Sequence, residues 1–84
     1  DPYRRKVLRS FLLRGRLNRI PASRKKRRVI LEVLAKRFLA NARYPEAEVN
    51  QLLSEVHDDY CTLRRLLVDE GLVRRENGVY EGTA

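Results

Sequence analysis

Apolar residues recur at helical spacing in four stretches of this chain. In the first, Val7, Leu8, Phe11 and Leu12 follow Asp1-Pro2, an N-cap with proline at the first helical position. A helix over about residues 2–14 is predicted, with Gly15 as its stop. Arg16-Leu17-Asn18-Arg19-Ile20 then alternates before Pro21, which disfavours helix at Ile20. This reads as a short extended connector, in which Leu17 and Ile20 cannot share a face: one packs on the core and the other covers the first helix. Ser23 is a good N-cap for a second helix over about residues 24–39, striped by Val29, Ile30, Leu31, Val33, Leu34 and Phe38. After a linker at 40–43, Pro45 suits the first turn of a third helix, about 46–55, whose Val49, Leu52, Leu53 and Val56 form an i, i+3, i+4, i+7 stripe. A tight break at Val56-His57-Asp58 leads into a fourth helix, about 59–70. Asp58 is its expected N-cap, Tyr60, Leu63, Leu66 and Leu67 its inner face, and Gly71 its stop.

The strongest local signal is Asn77-Gly78 between two strand-like runs. Both residues tolerate the positive φ of a two-residue hairpin turn, so Glu76 should face Val79, Arg75 should face Tyr80 and Arg74 should face Glu81. Helix, helix, tight turn, helix and hairpin is the order of a winged helix. The predicted fold is therefore mainly α with a small β-hairpin, a winged helix-turn-helix with an extra N-terminal helix. Residues 1–84 form one domain, with the first helix and connector at 1–22 and the winged-helix core at 23–84.

Arg16 to Pro21, the basic run after Ser23, Glu48-Val49-Asn50, and above all Asp58-Asp59-Tyr60-Cys61-Thr62-Leu63-Arg64-Arg65 carry a resemblance. They resemble a small bacterial family catalogued only as a domain of unknown function, which occurs alone or behind ArsR-type transcriptional regulators. The likeness runs from about residue 15 to Tyr80 and implies a regulatory context. Members often place a basic residue after the final tyrosine, where this chain has Glu81.

Charge changes the picture more than composition does. The chain has 43% hydrophobic and 36% charged residues, and it carries a net +8. Its first 44 residues hold fifteen Lys/Arg against Asp1 and Glu32, whereas the remainder holds four arginines against nine acids. Such asymmetry fits a nucleic-acid-binding face, and it fits equally an electrostatic match between the two halves, within one molecule or head to tail. No apolar run approaches membrane-spanning length and no signal peptide is recognisable, so a soluble cytoplasmic domain without membrane contact is expected. The single Cys61 cannot form an internal disulfide. The chain contains no Met, even at its start, so it is expected to be excised from a longer one.

Arg24, Lys25, Lys26, Arg27 and Arg28 occupy the first turns of the second helix, where unpaired amide N–H groups already present positive charge. Each misplaced cation costs about 0.3 kcal/mol or more. An external anion, a DNA phosphate above all, is expected to compensate them, the alternative being a merely solvated basic face. Arg4, Arg5 and Arg9 on the first helix extend this surface. In a DNA-reading winged helix the fourth helix would present Thr62, Arg64, Arg65, Val68 and Asp69 to the groove. Asp58 and Asp59, however, place negative charge at its leading end, which favours a role as helix caps paired to basic-half arginines, with Arg64 or Arg65 in an internal ion pair. Arg74 and Arg75 stand on a wing too short to reach far, and Arg74 has Glu81 as a cross-strand partner. The six aromatic residues lie on apolar stripes and read as core.

His57 and Cys61 share metal-ligand spacing, but two ligands make no site. They read as a turn residue and a small packing residue, and no nucleophile–base arrangement emerges. The sequence thus predicts no enzyme and no cofactor. It points to a DNA-binding domain of a bacterial transcriptional regulator, with a homodimer or a fused regulatory domain as further partners. The alternative is a protein-interaction or dimerisation module of the same shape without DNA contact.

Overall fold

The computed structural model describes residues 1–83 and begins with helix α1 (Pro2–Phe11). Asp1 caps it, accepting the Tyr3 N–H at 2.9 Å. The helix stops three residues earlier than its apolar stripe predicts. Leu12 turns extended, and β1 (Leu12–Leu13) pairs antiparallel with β2 (Arg16–Leu17) around Arg14-Gly15, both at positive φ. The reversal carries Leu17 into the core, where its N–H donates to the Val56 carbonyl at 2.8 Å, while Ile20 is only partly buried. Burial of one apolar side chain and a satisfied buried amide outweigh the helical propensity of three residues.

Helix α2 (Arg24–Ala35) starts at Ser23 as expected, with the Ser23 hydroxyl accepting the Lys26 N–H. It too ends early. Lys36, Arg37 and Phe38 each donate to the carbonyl three residues back, and this tighter winding turns Phe38 into the core against the edge of the Tyr44 ring. Arg43–Pro45, read as linker and helix start, is instead strand β3, so Pro45 is the N-cap of α3 (Glu46–Ser54) rather than part of it. Helix α4 (Tyr60–Asp69) is capped by Asp59, not Asp58: Asp59 accepts the Thr62 N–H at 3.3 Å and the Thr62 hydroxyl at 2.8 Å. Tyr60 and Leu66 are only half inside, and Cys61, expected to pack, is exposed.

The closing hairpin, β4 (Val73–Glu76) and β5 (Val79–Gly82), has the register that Asn77-Gly78 dictates. It is not two-stranded, however. β3 adds to the other side of β5, giving a three-stranded antiparallel sheet in the order β3-β5-β4. Among the described residues, four helices and two small antiparallel sheets make a mixed α and β architecture. One cluster of buried side chains runs from Val7 and Phe11 through Leu31, Leu53 and Leu67 to Tyr80, so α1 packs on the same core as the rest. Among the described residues no helix is long and apolar enough to cross a membrane.

Candidate functional site

The basic start of α2 divides into two sets of cations. Arg24 and Arg28 are answered from within the molecule. Glu70, at the C-terminal end of α4, accepts from Arg24 Nε at 3.1 Å and from Arg28 Nη1 at 2.9 Å, and its side chain is only 10% exposed. Arg28 also pairs with Glu32 one turn along α2, and Glu32 in turn holds Arg4 at 2.7 Å. A chain of alternating charge, Arg24–Glu70–Arg28–Glu32–Arg4, thus ties α1, α2 and α4 together beside an open groove of about 740 Å³. Arg24, Arg28 and Arg4, three of the cations expected to meet an outside anion, are thus already paired within the molecule, Arg24 and Arg28 to Glu70 from α4 and Arg4 to Glu32 from α2. For Arg24 and Arg28, both paired to Glu70, the match between the two halves of the chain is intramolecular, whereas Glu32 answers Arg4 from within the first half.

The remaining cations of the run are placed differently. Lys25 lies over the Tyr3 ring at 4.5 Å, Arg27 donates to the Pro21 and Ala22 carbonyls, and Lys26 is exposed. Arg5 and Arg9 stand four apart on the exposed side of α1, with Lys6 between them.

On the acidic side, Arg64 and Arg75 are bound into the scaffold. Glu46, first residue of α3, accepts the Tyr80 hydroxyl proton at 2.9 Å and lies 3.9 Å from Arg64 and 3.7 Å from Arg75, while Arg64 also donates to Asn50. Burial, with help from Glu46, pushes the Tyr80 hydroxyl above its usual pKa. Arg74 pairs with Glu81 as the hairpin register predicts, and Arg43 approaches Glu81 from β3. Of the fourth helix only Arg65 remains an outward-facing cation. Asp58 is almost wholly exposed and meets Arg16 at 3.3 Å, so one of the two acids does pair with an arginine of the basic half.

Once the ion pairs are removed, the unanswered positive charge is confined. Among the described residues Arg5, Lys6, Arg9, Arg14, Arg19, Lys25, Lys26, Arg27, Lys36, Arg37 and Arg65 have no carboxylate within 4 Å. All but Arg65 belong to α1, the 14–19 segment or α2 and the turns that follow it. Arg19, Lys36 and Arg37 had no distinguishing feature in the sequence. Their lack of a partner is a tertiary fact.

Hydrogen bonding to Arg28 holds the Glu32 carboxyl below its usual pKa, and hydrogen bonds from Arg24 and then Arg28 do the same for Glu70. A carboxylate with a lowered folded-state pKa contributes stability above its unfolded value and loses it as pH falls through the folded value. The melting temperature should therefore drop as pH is taken from about 5 to below the ordinary carboxylate value of about 4.3. In the doubly substituted Glu32→Gln, Glu70→Gln protein, thermal melts across that range should show a visibly shallower decline.

His57 is a turn residue: its Nδ1 accepts the Asp59 N–H at 3.0 Å. Among the described residues no three metal-capable side chains come together. No curated protein and no solved structure matches the chain. Residues 16–81 match the family described as "uncharacterized protein conserved in bacteria (DUF2087)", and the chain belongs to that family.

Proposed function

We propose that this chain is a DNA-binding domain of a bacterial transcriptional regulator, acting in the cytoplasm as a binding module rather than an enzyme. It would hold the phosphate backbone with the cations of α1 and α2. The topology supports the reading. From α2 onward, helix, short strand, two helices in tight succession and a hairpin whose β5 lies between β3 and β4 follow winged-helix order, with α1 and the β1–β2 hairpin added in front.

The observation that carries the proposal is the confinement of unpaired cations to residues 5–37, with Arg65 the one exception among those described. A surface with that surplus releases counterions when it meets a polyanion. Standard docking through α4 fits less well, since Asp58 and Asp59 stand at its leading end and Arg64 is bound to Asn50 and Glu46. Phosphate contacts of this kind position a protein without reading bases, so little sequence preference follows from them.

The test is fluorescence anisotropy of a labelled random duplex across a salt series. A variant with Arg5, Lys6, Arg9, Lys25 and Lys26 changed to Gln serves as comparison. The wild type should show log K falling by about 0.9 per neutralised phosphate for each unit of log salt. The variant should lose most of both affinity and slope. Absence of wild-type binding at low salt would remove the proposal. The same acidic helix start, with Leu39 68% exposed, favours a second reading as a protein-interaction module. Self-association on a sizing column in the absence of DNA would speak for it.

A further inference from the structure

Two hairpins in this molecule turn on two residues at positive φ, and they are built differently. The β4–β5 turn uses Asn77-Gly78, which adopt that backbone at little cost. The β1–β2 turn uses Arg14-Gly15, forcing an arginine to φ 54° where asparagine would sit more easily. Beside it, Leu13 is 72% exposed, more than Leu39, the other exposed large hydrophobic side chain among the described residues. Neither choice helps the fold.

The base of this hairpin is nonetheless firmly held. Leu17 is buried and its N–H is bonded to Val56. The Asn18 side chain donates to the Ser10 carbonyl at 2.9 Å. Arg16 reaches the Ser54 and Glu55 carbonyls and Asp58. A rigid base therefore presents a slim tip of one apolar side chain and one guanidinium. Arg9, Arg14 and Arg19, around that tip in the chain, have no carboxylate within 4 Å among the described residues.

We propose that the tip formed by Leu13 and Arg14 enters the DNA minor groove, a contact separate from the phosphate-binding cations. The proposal rests on the nucleic-acid reading above. A groove about 6 Å wide admits a two-residue turn but not a helix. Its sugar walls accept an apolar side chain, and the strong negative potential of narrow A·T-rich tracts draws in a guanidinium. The unpaired arginines that flank the tip along the chain favour a polyanion over an apolar protein surface as the occupant.

Arg14→Asn separates function from folding, because it should relieve the backbone cost. We expect this variant to melt several degrees higher than wild type and yet bind an A·T-rich duplex about tenfold more weakly, with a smaller loss on a G·C-rich duplex. Leu13→Ser should weaken A·T-rich binding in the same direction, and a minor-groove-binding polyamide should displace the wild-type protein. If the wild type binds duplex but both variants bind equally well, the inference falls and the phosphate-face reading stands. If Leu13→Ser changes only self-association measured without DNA, the tip is a protein contact and the inference falls. If the wild type binds no duplex at all, both readings fall.

Discussion

Gly82→Ala should lower the melting temperature by about 15 °C, from a loss of about 3 kcal/mol with 4–8 °C for each kcal/mol in a domain of this size. Gly82 is buried at the end of β5, opposite Val73, and bridges to Ala40 in the segment after α2. A β-carbon there would press on the Phe38 and Leu39 carbonyl oxygens and lie 2.8 Å from the Leu39 carbonyl carbon. Those are backbone atoms, held in place by the same turn that buries Phe38, so no side chain can swing aside to make room. Gly71 supplies the contrast. It has open space around its missing β-carbon but sits at φ +72°, so Gly71→Ala should cost only about 1 kcal/mol of backbone strain. Thermal melts of both variants check the argument, and equal shifts would refute the close contact.

Glu70→Gln should move stability and nucleic-acid affinity in opposite directions. The Glu70 carboxylate accepts from the Arg24 and Arg28 guanidinium groups beside the first turns of α2. Neutralising it leaves Arg24, at the first position of α2 where amides already present positive charge, without a carboxylate, so the melting temperature should fall, most at low salt where screening is weakest. Arg28 keeps its bonds to the Glu70 carbonyl and to Glu32, whereas Arg24, already 79% exposed, loses its carboxylate partner. If the basic face meets phosphate, the freed Arg24 adds about one contact and steepens the slope of log K against log salt by about 0.9. Measuring melts and duplex anisotropy on one preparation separates the outcomes. A lower melting temperature with an unchanged salt slope would mean that the phosphate-binding surface excludes Arg24.

The elements whose instructions lie within a few residues were legible in the sequence. Ser23 and Asp1 cap the helices they precede, Gly71 ends α4, and Asn77-Gly78 sets a register that holds for Glu76 with Val79, Arg75 with Tyr80 and Arg74 with Glu81. Those outcomes depend on one side chain or one backbone angle acting on its neighbours, which is why local pattern suffices.

The early stops of α1 and α2 and the missed strand β3 have a different cause. α1 and α2 stop short of their stripes because Leu17 and Phe38 are needed in the core, and the pull on them comes from elements distant in the chain. β3 is too short to alternate visibly and exists because β5 offers it an edge. The candidate site shows the same division. Five consecutive cations were plain in the sequence, but whether each is answered depends on where Glu70 and Glu32 arrive, and Glu70 comes from the far end of α4. By itself the sequence determined the helices, the closing turn and the excess of positive charge in the first half. Only the tertiary structure decided which of those charges remain free, because Coulomb partners are set by distance in space and not by distance along the chain.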